Sequence, residues 1–158
     1  MNNQNQFLYD VLRGNESAVI FCQRLFSISQ IVDDLYDGDN EIDREDIKRM
    51  IWYSLVELPS NAFYRENFFV LQPLIRMALT DWIDSTVLEQ GELHDKTIAF
   101  VLRDALNSVV SQCIYLVGGY EWMVQVSPAV RRFFHDETLS DYLNESEHDN
   151  VGQQSEST

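Results

Sequence analysis

A chain of 158 residues with a net charge of −15, 45% hydrophobic and 12% aromatic, is long and apolar enough to form one globular domain with a proper core. The acid excess argues against direct nucleic-acid binding, because phosphates repel such a surface. Cys22 and Cys113 fall within apolar helical patterns and lack zinc spacing, so both are expected as buried thiols.

The elements follow from apolar residues recurring at spacings of three and four, with little proline and no strand-like alternation. A first helix spans about 5–12 and stops at Gly14. The next, about 16–36, carries Phe21, Leu25, Ile28, Val32 and Leu35 on one seam and Val19, Cys22 and Phe26 on another face. A helix apolar on two sides lies between others, and Gly38 ends it. Asp43 caps a helix over about 44–57, with Asp46 completing a capping box, and Pro59 ends it. Residues 61–70 form a helical turn or two, and 73–88 a helix with Pro73 in its first turn. Asp95 caps a helix reaching Val117, which Gly118-Gly119 terminates. Ser127-Pro128 starts the last long helix, with Val130, Phe133 and Phe134, and a short segment follows near 139–143. Trp52, Trp82 and Trp122 read as core or half-buried packing residues.

The fold expected is all-α, a single-domain bundle of five to seven helices over residues 1–145. Residues 146–158 are polar and non-periodic and read as a disordered acidic tail. From His135 onward the sequence holds seven acids and no Lys or Arg. Residues 1–6 have no basic or apolar run, so no secretory signal is expected. Arg103, Asp104 and Asn107 interrupt the apolar stretch 98–117, so no membrane span is expected either. A cytoplasmic protein is the expectation.

Val32-Asp33-Asp34-Leu35-Tyr36-Asp37-Gly38-Asp39 closes the second helix with four carboxylates, at an end where the helix dipole disfavours acid by up to about 1 kcal/mol each. Asp33, Asp34 and Asp37 point away from the Phe21 seam, toward the side of Val19, Cys22 and Phe26. Either the helix end emerges into water there, or the acids line the mouth of a crevice floored by apolar side chains. Asp81 and Asp84 form a second pair on another helix. Paired carboxylates on facing helices hold divalent ions in bundle proteins, because clustered acids do not all stay ionised without a cation. Under that reading Asp33, Asp34, Asp37, Asp81 and Asp84 bind magnesium, an ion that favours oxygen ligands. Arg103 would neutralise a phosphate, with Asp104 as its catalytic companion. The plainer role for Arg103, Asp104 and Asn107 is structural hydrogen bonding on the polar face of an apolar helix.

Three resemblances accompany these residues. Asp33-Asp34-x-x-Asp37 resembles the first aspartate-rich motif of all-α isoprenyl diphosphate synthases, which implies magnesium and diphosphate. That family follows its motif with paired arginines and a glycine, whereas this chain continues Gly38-Asp39-Asn40-Glu41. The pairs Asp34/Asp37 and Asp81/Asp84 are similar in spacing to the carboxylate pairs of all-α nucleoside triphosphate diphosphatases, which are mostly glutamate. More widely spread are Val32 to Asp39, Phe100-Val101-Leu102-Arg103-Asp104, Leu116-Val117-Gly118-Gly119 and Val126-Ser127-Pro128-Ala129-Val130-Arg131-Arg132. These segments resemble a group of small helical proteins encoded by tailed phages, which implies a phage setting and a host-cytoplasm location but no chemistry.

Two functions follow. The first is a non-enzymatic acidic helical interaction protein, a phage accessory or assembly factor that binds a protein partner and needs no cofactor. Apolar positions in excess of a short bundle's needs are compatible with a homodimer. The second is a magnesium-dependent phosphohydrolase acting on a nucleotide or diphosphate.

Overall fold

A computed structural model describes residues 3–38 and 40–145. The protein is an all-α helical bundle, with no strand among the described residues. The tail expected over residues 146–158 lies outside them.

Helix α1 (Asn3–Val11) turns through Arg13 and Gly14, both at positive φ, into α2 (Glu16–Asp37). Asn15 caps α2 by accepting from the Ala18 amide, and Gly38, left-handed at φ 72°, ends it as expected. Asp43 caps α3 (Arg44–Trp52) with the capping box formed by Asp46. The chain then widens into a π turn, Tyr53–Glu57, and runs on as α4 (Leu58–Ser60). Pro59 therefore does not stop this rod. A proline ring collides with the carbonyl four residues back, here Leu55, and the wider turn just upstream opens room for it. Asn61 caps the short α5 (Ala62–Glu66), which abuts α6 (Phe68–Leu88) at Asn67. Helix α6 starts a turn earlier than expected and carries Pro73 inside.

Helix α7 spans Leu93–Leu102. It begins with Glu92, not Asp95, in the cap position, and it does not reach Val117. Residues 103–105 form a turn before α8 (Leu106–Phe134). Helix α8 is two arms: Gly119, at φ 79° and ψ −175°, reverses the chain. The second arm starts directly after Gly119, so Ser127-Pro128 lies within a helix instead of starting one. Polar pairs join the arms about that corner. The Ser111 and Ser127 hydroxyls are 2.7 Å apart, and Arg131 Nη1 donates to Ser108 Oγ at 3.1 Å. Farther out, His135 Nδ1 sits 2.9 Å from Asp104 Oδ2 and Arg103 Nη1 lies 3.3 Å from Glu137. The stretch Leu93–Glu145 is long and apolar enough to cross a membrane by length and composition. Its bend at 103–105 and reversal at Gly119 leave no straight rod of the ~20 residues a span needs.

Leu8, Leu12, Phe21, Cys22, Leu71, Val109, Cys113 and Ile114 form the buried centre. Helix α2 touches α1, α3, α5 and α8, so it is central over its first half, as its two apolar faces imply. Its seam does not stay buried: Leu35 is 47% exposed. Trp82 and Trp122 are half-buried, but Trp52, expected in the core or half-buried, is mostly exposed.

Candidate functional site

The last turns of α2 emerge beside the 103–105 turn and the C-terminal half of α6. A groove of about 720 Å³ runs along α2 from Gln23 to Asp37, with Asp33, Asp34, Asp37, Arg103 and Asp104 at one end. Phe26 and Phe134, stacked with ring centroids 4.4 Å apart, line it farther along, with Asn5 and Gln30. The carboxylates thus border a crevice with aromatic lining; they do not simply fan into water. A narrower cleft of about 90 Å³ lies on the other side of the same acids, lined by Tyr36, Trp82, Ser85, Thr86 and Glu89 as well as Asp33, Asp37, Arg103 and Asp104.

Asp33 is fixed between the two helices. Its Oδ1 accepts from the Trp82 indole N–H at 2.7 Å, and Tyr36 meets the same indole edge-on at 5.6 Å. Burial raises the Asp33 pKa, as do Asp37 and Asp104, while the Trp82 bond and Arg103 oppose the rise. Glu89 is raised by burial and by Asp37, again against Arg103. Asp104 is raised by burial, with His135 and Arg103 opposing. The common physics is desolvation of carboxylates that crowd one another. Asp34 takes another direction, accepting from Asn40 Nδ2 at 2.8 Å, and borders a second groove between α2 and α3 with Asp46, Arg49 and Tyr53.

Of the seven residues nominated from the sequence, Asp33, Asp34, Asp37, Arg103 and Asp104 come together. Asp81 and Asp84 line neither the groove nor the cleft; α6 turns Trp82, Ser85 and Glu89 inward instead. No family model, curated protein or solved structure matches this chain. Its site is therefore described by its own geometry. Among the described residues no group of three or more His, Cys, Asp or Glu side chains has the arrangement of a metal site. Arg103 is also occupied: it pairs with Glu137, and its guanidinium lies 5.1 Å from the Tyr142 ring centre.

Glu89, His135, Glu137 and Tyr142 belong to this region and escaped the sequence reading. Glu89 lies two helical turns beyond Trp82, a spacing that places both on one face but signals nothing without knowing that Trp82 meets α2. His135 and Glu137 reach Asp104 and Arg103 only because the chain doubles back at Gly119. The Gly118-Gly119 pair was the available signal.

Proposed function

We propose that the protein is a non-enzymatic interaction protein, an accessory or assembly factor in a tailed-phage setting, that binds a protein partner in the host cytoplasm. The observation that carries this is the orientation of α3. At about 100° per residue, Asp46, Arg49 and Tyr53 fall on one side, and these border the groove against α2. Ile47, Ile51 and Leu55 fall on the opposite side, 38%, 51% and 72% exposed, and neither α3 nor its π turn has a buried residue. A helix that turns its polar side to its own bundle and its apolar side to water is placed to receive another molecule. Burying each such side chain is worth roughly 1.5–3 kcal/mol. The charge of −15 favours a basic partner.

The test is capture from expressing or infected cells with the wild-type chain and an Ile51→Glu/Leu55→Glu variant, whose unchanged helicity confirms folding. A stoichiometric protein retained by the first and lost by the second supports the role, and retention by both removes it. Light scattering showing a dimer that the variant loses would assign the stripe to a second copy of the chain instead.

A specific observation favours a second reading, the magnesium-dependent phosphohydrolase: Asp33, Asp34, Asp37, Arg103 and Asp104 share one groove. It ranks below the first because Asp81 and Asp84 stand apart and because Glu137 and Tyr142 already hold Arg103. Calorimetry with magnesium on the wild type and on Asp33→Asn/Asp37→Asn decides it, and equal, negligible heats from both remove it.

A further inference from the structure

We propose that the outward face of α6 pairs with the same face of a second copy of this chain, the two helices running antiparallel about a two-fold axis near Thr80. This surface is separate from the α3 stripe and does not rest on the role proposed above. Helix α6 buries Leu71, Ala78 and Ser85, which lie seven apart and so mark one line along the rod. At about 100° per residue, the opposite line holds Phe69, Pro73, Arg76, Thr80, Ile83 and Val87. Their 4-3-4-3-4 spacing is that of a two-helix seam, and it is turned outward, with Phe69 92%, Val87 70% and Ile83 55% exposed. From Phe69 to Val87 the seam runs ~27 Å at ~1.5 Å per residue.

Charge selects the occupant. Arg76 and Asp84 are both exposed, and neither has an ion pair among the described residues. They stand one helical turn before and one after Thr80, so the stripe complements itself. In an antiparallel pair centred on Thr80, each copy's Arg76 meets Asp84 of the other, as an isologous contact requires. A parallel pair would set arginine against arginine and acid against acid, which charge forbids. The same antiparallel register brings Ile83 against Met77, itself 60% exposed, and Val87 against Pro73. Phe69 then reaches the α6–α7 turn beside Leu93, 64% exposed. At the axis the Thr80 hydroxyl already donates to the Arg76 carbonyl at 2.9 Å and needs no other acceptor. A basic partner would find one acid and one arginine on this stripe. Over the rest of a surface of net charge −15, a second copy is repelled.

The test is sedimentation velocity on the full chain across a dilution series, with circular dichroism confirming that each variant folds. The wild type should show a monomer–dimer equilibrium. Arg76→Asp alone and Asp84→Arg alone should each weaken it at least tenfold, because each sets like charges together twice across the axis. An equimolar mixture of these two single variants should dimerise again, since every 76–84 contact in the mixed pair is once more between opposite charges. Ile83→Lys/Val87→Lys, at exposed sites that leave the core alone, should abolish association. Ile51→Glu/Leu55→Glu should leave it unchanged, so that loss of the α3 role and loss of this pairing are told apart. A wild type that stays monomeric at every concentration overturns the proposal. So does a dimer that keeps its affinity in both charge variants, a mixture that remains monomeric, or a dimer abolished by the α3 variant.

Discussion

The Trp82 indole donates to Asp33 across 2.7 Å, joining residues far apart in the chain through one hydrogen bond to a carboxylate that burial already penalises. Trp82→Phe keeps the ring packing and removes the donor. Stranding a buried acceptor costs about 1–3 kcal/mol, equivalent to a Tm lower by roughly 3–10 °C in a chain of this size. Calorimetric unfolding at neutral pH reads this directly, and an unchanged Tm would mean that water replaces the indole at no cost.

Acidity has a signed effect on this fold. Asp33, Glu89 and Asp104 all have pKa values raised in the folded state, burial being the largest cause in each. A carboxyl that holds its proton more tightly when folded stabilises the fold below its unfolded pKa, and that contribution is lost as pH rises through the folded value. Asp33→Asn removes one such loss while its amide oxygen can still accept from Trp82. The variant should therefore melt higher than wild type at pH 7, by about 1–3 °C. The gap should close as pH falls below about 4. A gap that widens on acidification contradicts the assignment.

Gly119 and Gly38 both have positive φ, at 79° and 72°, and a Cβ built on either meets nothing within 4 Å. Alanine at either site is opposed by the backbone alone. Gly38 is left-handed, a region that costs other residues about 1–2 kcal/mol. Gly119, with ψ near −175°, occupies a region essentially reserved for glycine, at a cost of about 1–3 kcal/mol. Gly119→Ala should lower Tm more than Gly38→Ala does, and the reverse order would show that the corner relaxes.

Cys22 and Cys113 are both buried and free. Contact with Cys22 first, and burial second, push the Cys113 thiol well above its ordinary pKa. The thiolate is the reactive form, so neither thiol should react with a disulfide reagent at pH 8 until denaturant is added. Rapid labelling of the native protein would show that the core opens between α2 and α8.

Local chemistry written into neighbouring residues was legible. The Asp43 cap, the Gly38 stop and the burial of Cys22 and Cys113 all depend on contacts within a turn or on apolar period. What depended on direction was not. Ser127-Pro128 has the form of a helix start, but a glycine eight residues earlier had already turned the chain. Asp81 and Asp84 have the spacing of a carboxylate pair, yet α6 rotates Trp82 toward α2, and one residue of rotation moves a side chain by about 100°. Trp52 read as a core or half-buried residue because composition does not say which side of α3 meets the bundle. Asp33 and Asp37 were recognisable as a candidate site, whereas Glu89, His135 and Tyr142 were brought to it by tertiary packing.

The second arm of α8 closes on the opening helix of the chain: Trp122 donates to the Val11 carbonyl at 2.8 Å, and Phe133 stacks on Phe7 at 4.1 Å. Helix α1 thus waits for a segment 111 residues downstream before its own inner side is covered. Until the doubled-back arm arrives, Phe7 lacks its stacking partner and is open to capture by chaperones or by neighbouring nascent chains. Truncations that remove the arm should therefore be recovered with such helpers or as aggregates, even when every upstream helix is present.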